Sequence, residues 1–139
     1  SVTSIGNNSF YGCTGVTDFL VSTGNTTYAS SDGVLFNKAL TTLVKYPHGK
    51  TGSYSIPSSV TTIGNYAFYN CTKLTGDLII PNSVTTIKEG AFSSCSGLNG
   101  LLTIGTGVSS IESNAFRNCT NIKVIDIISI NIIYRCYSV

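Results

Sequence analysis

A segment of 24 residues recurs in register along this 139-residue chain, and this recurrence limits what the chain can fold into. Three copies begin at Ser59, Ser83 and Gly107, each with a Val-x-x-Ile pattern. Each copy continues with an Ala-Phe pair, a cysteine and an aliphatic residue at constant spacing. A fourth copy of V-x-x-I-x-x-x-x-F-x-x-C-x-x-[LIV] spans residues 2–16. Self-similarity with such a period is typical of a solenoid, in which each repeat forms one coil.

The spacing within one repeat predicts a strand, a helical turn, a second strand and a closing turn. Val60 and Ile63 begin an extended segment that the two threonines between them favour. Phe68 and Cys71 are three residues apart, which predicts that both lie on one side of a single helical or 3₁₀ turn. The aliphatic residues of 74–80 form a second extended segment, which a proline ends.

Equivalent residues of successive coils are expected to stack, because one coil cannot bury its own apolar face. Strands of neighbouring coils would then lie about 4.8 Å apart in parallel ladders. The predicted ladders each take one residue from every copy: Phe10, Phe68, Phe92 and Phe116; Cys13, Cys71, Cys95 and Cys119; Ile5, Ile63, Ile87 and Ile111. Stacked cysteine side chains point the same way, which is poor disulfide geometry, so we expect a reduced, buried column. Cys136 lies outside the repeats.

Residues 17–56 interrupt the period. Within them, 34–36 and 43–46 are β-like segments that flank residues 37–40, which predicts a hairpin or a tight link. The Asp32-Gly33 pair marks a turn before it. We interpret this stretch as one elongated, hairpin-bearing coil and not as a separate domain.

The predicted domain organisation is one solenoid over residues 1–128, followed by a tail or cap over residues 129–139. The tail contains no further Val-x-x-Ile or Ala-Phe unit. Ser1 already lies inside a repeat, so the sequence shows no signal peptide. Removal of a leader and excision from a longer protein are both compatible with this start.

The repeated pattern I-P-x-S-V-T-x-I-G-x-x-A-F-x-x-C-x-x-L resembles the BspA-like, or Treponema-type, leucine-rich repeats. The resemblance covers residues 2 to about 128, and residues 32–37 with 43–47 are similar to a variant coil that these proteins often contain. It implies a right-handed leucine-rich-repeat solenoid with a parallel β-sheet on one face. With the helical turn predicted from the spacing, the expected fold class is an α/β repeat of β-rich coils.

The resemblance also implies a role. Members of this family are mostly surface or secreted proteins of gut and oral bacteria, and several are implicated in adhesion to host proteins such as fibronectin and fibrinogen. We therefore expect a cell-surface or secreted module that binds a host or microbial protein or glycan, including extracellular matrix. Strand alternation places the candidate partner-binding residues outward or beside the sheet: Leu20, Asp77, Ile79, Thr103, Lys123 and Asp126.

Two further interpretations remain open. In the first, the coils act only as a stalk or spacer within a larger surface protein, and unpaired edge strands would then promote edge-to-edge self-association. Tyr11, Tyr66 and Tyr69 lie beside the ladders without recurring in every coil. They are either contact residues for a ligand or simply solvated side chains.

Composition argues against several other classes of protein. Charged residues make up 10% of the chain, the net charge is +2, and the basic residues are scattered, so nucleic acid is not an expected partner. The longest apolar stretch, residues 122–134, is interrupted by polar residues and is too short for membrane insertion.

Catalysis, cofactors and metals are likewise not expected. His48 is the only histidine, and the six acidic residues are dispersed. The segment 48–51 resembles the end of a phosphate-binding loop, but Val44 occupies the position of the required first glycine. We therefore predict no enzyme, no cofactor and no metal site.

Overall fold

The computed structural model describes residues 1–128, which form a β-solenoid of about four turns with parallel sheets. The predicted tail at 129–139, including Cys136, lies outside the described residues. Nine strands occur within residues 1–128: β1 (Tyr28–Ser31), β2 (Val34–Asn37), β3 (Thr42–Lys45), β4 (Thr62–Ile63), β5 (Gly76–Ile80), β6 (Thr86–Ile87), β7 (Leu98–Ile104), β8 (Ser110–Ile111) and β9 (Val124–Ile127).

The strands form two sheets. One has the order β1-β2-β3-β4-β6-β8, and the other has the order β5-β7-β9. Strands from the same part of the repeat are one coil apart, and they therefore pair in parallel. The predicted hairpin is present as the antiparallel pair β2–β3. β1, which the sequence analysis did not predict, extends it through the turn at Asp32-Gly33.

The isoleucine column follows the 24-residue period but does not include Ile5. Ile63 pairs with Ile87, and Ile87 with Ile111, in the parallel register. In the preceding coil, the position equivalent to Ile63 is occupied by Leu43 of β3. The β2–β3 hairpin therefore supplies the coil that the opening repeat was expected to supply, and the prediction for Ile5 is wrong.

The aromatic column shows the same replacement. The rings of Phe68 and Phe92 stack with centroids 4.6 Å apart, and those of Phe92 and Phe116 stack at 5.2 Å. In the preceding coil, Tyr46 occupies the equivalent position, and its ring stacks on that of Phe68 with centroids 4.9 Å apart. Phe10 instead packs edge-on against Phe19, 5.1 Å away. The predicted membership of Phe10 is therefore wrong, because the residue after β3 takes its place.

The cysteine column is a set of free thiols beside the aromatic rings. Cys71 and Cys95 are buried and Cys119 is half-buried, whereas Cys13 is exposed and does not belong to the column. The thiol of Cys95 donates to the carbonyl of Phe68 at 2.9 Å, and Cys119 makes the equivalent bond one coil later. These cysteines therefore contribute a hydrogen bond between coils as well as apolar packing.

The predicted helical turns are absent: residues 1–128 contain no helix. Each expected helix is replaced by consecutive turns in which every fourth residue has a positive φ, as at Tyr66 (52°) and Asn70 (57°). A helix needs an unbroken run of right-handed residues, so these positions exclude it. The same conformation recurs one and two coils later at Gly90, Ser94, Asn114 and Asn118.

The turns also form hydrogen bonds with the next coil. The backbone N–H of Phe68 donates to the carbonyl of Ala91 at 2.7 Å, and Phe92 donates to Ala115 at 2.7 Å. Tyr46 donates to Ala67 in the same way at 2.8 Å. Alternate N–H groups of the turns therefore connect neighbouring coils, while the N–H groups between them, such as that of Ala67, bond within the turn.

Replacing Phe92 with alanine should destabilise the fold strongly. The side chain is fully buried and stacks on a ring at each side, so its removal should lower the free energy of unfolding by about 3–5 kcal/mol. Urea denaturation followed by circular dichroism measures this. Phe10→Ala is the matched control and should lower the free energy of unfolding much less, because Phe10 lies outside the aromatic column. Equal losses in the two variants would contradict the assignment.

Candidate functional site

Three of the predicted outward residues form a row across the three-stranded sheet. Ile79 pairs with Thr103, and Thr103 with Asp126, so the three side chains lie on adjacent parallel strands. Neighbours on the same strands, such as Leu78 and Leu102, are buried in the core. Ile79 is 62% exposed, which places this row on the outer face of the sheet.

Two residues that the sequence analysis missed extend this row. Leu101 and Val124 are in register with each other, and each lies two residues before a member of the row. They therefore share its face, and they are 37% and 58% exposed. The same alternation that identified Thr103 and Asp126 was available to find them. We call the five residues Ile79, Leu101, Thr103, Val124 and Asp126 the sheet patch.

Asp77 lies at an irregularity in the pairing of β5 with β7, and from this position it supports the sheet patch. β7 contains extra residues here, because Gly76 pairs with Leu98 while Leu78 pairs with Leu102. The Asp77 carboxylate accepts a hydrogen bond from the backbone N–H of Leu101 at 2.8 Å. A β-carbon on Gly100 would collide with this carboxylate, which explains the glycine. Asp77 therefore holds Leu101 in position.

The two remaining candidate residues are placed differently. Lys123 is exposed and directly precedes β9, beside the sheet patch. Leu20 is 91% exposed but belongs to neither sheet. Its neighbour Phe19 donates a backbone hydrogen bond to Gly33 in the turn between β1 and β2. The hairpin therefore holds this segment, and Leu20 is not part of the three-stranded sheet that contains Ile79.

The segment 48–51 does not form a phosphate site. The backbone N–H of Gly49 donates to the carbonyl of Val16, so it is already used within the fold. The Lys50 ammonium lies 3.4 Å from the Asp32 carboxylate and 3.9 Å from that of Asp18. A lysine beside two carboxylates is poorly placed to attract phosphate.

The only histidine is buried next to a buried lysine. His48 and Lys45 are each 6% exposed, and the Lys45 ammonium donates to the carbonyl of Tyr66 at 2.7 Å. Burial, together with the Lys45 charge, lowers the pKa of His48 below its ordinary value of 6.5. Burial also lowers the pKa of Lys45. Neither group opens onto the sheet patch.

The buried thiols of Cys71 and Cys95 are poor nucleophiles. Burial raises the pKa of Cys71 to about 12, which keeps the group protonated at neutral pH. Within residues 1–128, no three His, Cys, Asp or Glu side chains are grouped so that they could hold a metal ion. Across the same residues no helix is long and apolar enough to cross a membrane. The sheet patch, with three aliphatic side chains, one hydroxyl and one carboxylate, is suited to contact with a partner.

Stacked coils of one repeated pattern, with parallel sheets and a single aromatic column, define a repeat protein of the leucine-rich class. A sequence profile of the BspA type leucine rich repeat region matches residues 1–49 and 45–137 in six copies. The chain belongs to this family, as its motifs predicted. A search of curated proteins finds no match.

Solved structures of bacterial leucine-rich-repeat proteins have a similar fold. A leucine-rich repeat protein from Eubacterium ventriosum is 35% identical with a TM-score of 0.72, and the match covers 82% of this chain and 30% of that chain. The pneumococcal vaccine antigen PcpA is 26% identical with a TM-score of 0.58, over 76% of this chain and 32% of that chain. The chain thus spans about a third of the length of each of these proteins.

The stability of the fold should decrease as the pH falls below about 6.5. The unfolded state then protonates His48 while the folded state, with its lowered pKa, resists protonation. This single group can contribute a slope of at most about 1.4 kcal/mol per pH unit. Urea unfolding between pH 5.5 and 7.5 measures the slope, and His48→Gln should flatten it. A slope that persists in this variant would assign the effect to other groups.

Proposed function

We propose that these coils form a binding module of a cell-surface or secreted protein, which adheres to a protein partner through the sheet patch. The observation that supports this most directly is the in-register row of Ile79, Thr103 and Asp126 on an outer sheet face. Three strands of a rigid solenoid hold these side chains at fixed separations, so a partner can bind without ordering a flexible loop.

The composition of the patch suits a protein ligand. Ile79 and Val124 are 62% and 58% exposed, and Leu101 between them is 37% exposed. Exposed aliphatic residues grouped on a rigid surface are typical of interaction sites. Asp126 and the nearby Lys123 supply polar groups at the edge, where charged residues select the partner and its orientation.

The surface location is inferred from the family. BspA-type repeats resemble those of surface and secreted bacterial proteins, and the similar protein PcpA is a pneumococcal vaccine antigen. The absence of a catalytic role is inferred from the same family and from the burial of His48, Cys71 and Cys95.

A second candidate function is that of a spacer within a longer stack of coils. Ile125 and Ile127 pair with the buried Leu102 and Ile104, yet they are 59% and 60% exposed. The apolar residues of β9 that are equivalent to buried residues of β7 are therefore exposed. Another coil, or another molecule paired edge to edge, would cover them.

Binding through the sheet patch predicts that Ile79→Arg with Thr103→Arg reduces adhesion at least tenfold. Two bulky cations on the row would prevent close contact of a partner, while both positions face outward and the fold should persist. Surface plasmon resonance of the full chain against fibronectin and fibrinogen measures the effect.

The matched control places the same charges elsewhere. Thr85→Arg with Ser109→Arg changes equivalent exposed positions of neighbouring coils, directly before β6 and β8 of the other sheet, and it should leave binding unchanged. Circular dichroism verifies that both variants are folded. Unchanged binding in the Ile79 and Thr103 variant would refute the patch, and a wild-type chain that binds neither protein would favour the spacer.

A further inference from the structure

A cavity of about 660 Å³ lies over the turns that connect the short strands to the three-stranded sheet. This volume falls within the range of about 300–1,000 Å³ that is typical of small-ligand sites. Its lining consists of three tyrosines, one arginine and six asparagine or serine residues. We call it the tyrosine groove and define it by Tyr11, Tyr66, Tyr69, Ser93, Ser94 and Arg117.

The groove exists because one coil has small residues where its neighbours have large ones. One turn position holds Tyr69, Ser93 and Arg117 in successive coils, 24 residues apart. At the next position, Ser94 likewise lies between two asparagines. Because the coils stack at the spacing of one strand, the short side chains of the middle coil leave a depression between the flanking coils.

The aromatic wall of the groove is held in place. The rings of Tyr11 and Tyr69 stack with centroids 5.9 Å apart, and Tyr66 meets Tyr69 edge-on at 5.9 Å. The Tyr66 hydroxyl donates to the Glu89 carboxylate at 3.0 Å. The Tyr66 ring lies over Gly90, where a β-carbon would collide with it and where φ is +58°. Two contacts therefore fix Tyr66, while Tyr11 is 68% exposed.

The opposite wall is polar and has free hydrogen-bonding capacity. Arg117, Asn114 and Asn118 line it, all exposed. Among residues 1–128, the structure shows no hydrogen-bond partner for these three side chains. Each amide can donate and accept, and the guanidinium offers several donors in one plane. Arg117 is the one charged residue in the lining of the groove.

We propose that the tyrosine groove binds an oligosaccharide that carries a carboxylate. The C–H face of a sugar ring packs on an aromatic ring, which Tyr69 and Tyr11 provide at one wall. Sugar hydroxyls need partners that both donate and accept, as the asparagines do. Arg117 can bind a carboxylate through two parallel hydrogen bonds, which favours uronate or sialate units over neutral sugars.

Several observations favour a sugar over a peptide in this groove. Six of the ten lining residues are asparagine or serine, and none is aliphatic, whereas peptide grooves present apolar pockets for anchor side chains. Among residues 1–128, the exposed aliphatic residues lie outside the groove, on the sheet patch, at β9 and at Val2, Leu20 and Ile111. The groove is thus a second site, separate from the surface proposed for a protein partner.

The test is binding of the full chain to an array of neutral, uronate-containing and sialylated oligosaccharides. We expect the carboxylated sugars to bind. Tyr69→Ala should then reduce affinity at least tenfold, and Tyr69→Phe, which keeps the ring, should retain most of it. Arg117→Gln should remove the preference for carboxylated over neutral sugars.

Ser94→Tyr provides a test that removes no wall residue. The larger side chain fills the floor of the groove from a position that already has a non-glycine residue, so sugar binding should be lost in a folded protein. The Ile79→Arg, Thr103→Arg variant is the matched control and should bind sugars normally, so the two proposals fail independently. Melting temperatures verify the fold of each variant.

Three results would overturn the assignment. The first is a folded wild-type chain that binds no sugar on the array. The second is sugar binding that survives both Tyr69→Ala and Ser94→Tyr. The third is a peptide or protein, in place of a sugar, whose binding these two substitutions abolish.

Discussion

Hydrogen bonding between the turns of successive coils is the interaction on which this structure depends. The N–H groups of Phe68 and Phe92 donate to Ala91 and Ala115 of the following coil, each at 2.7 Å. These bonds keep the turns at the spacing of a β-ladder, so the coil pitch is the same at the turns as in the strands. The phenylalanine rings can therefore stack at 4.6–5.2 Å, and the core is continuous through the coils.

The period allowed the columns to be predicted from the sequence wherever the repeats are uninterrupted. It failed for Phe10, because a 58-residue interval separates the first repeat from the second. Within that interval the β2–β3 hairpin places Leu43 and Tyr46 in the register of Ile63 and Phe68. Neither residue stands in the repeated pattern, so periodicity could not identify them. The hairpin itself was predictable, since its β-rich segments and turn residues are local features.

The conformation of the turns was harder to predict from the sequence than the columns or the hairpin. Asparagine at positions 70, 114 and 118 is compatible with positive φ, but Tyr66 and Ser94 adopt the same conformation without any such signal. A spacing of three residues between Phe68 and Cys71 fits a helical turn as well as it fits the observed succession of turns. At the three-stranded sheet, alternation correctly placed Thr103 and Asp126 in register on one face. The hydrogen bond between the Leu101 N–H and the Asp77 carboxylate depends instead on an irregularity in strand pairing, which alternation cannot show.

The two candidate surfaces share one property, which follows from how the coils are held together. Because backbone bonds and buried columns determine the stacking, an exposed position can differ from coil to coil without disturbing it. The sheet patch has Ile79, Thr103 and Asp126 at one such position, and the tyrosine groove has tyrosine, serine and arginine at another. A repeat that is constant inside and variable outside encodes its scaffold in the residues that recur. The recognition of a ligand must then depend on the residues that do not recur.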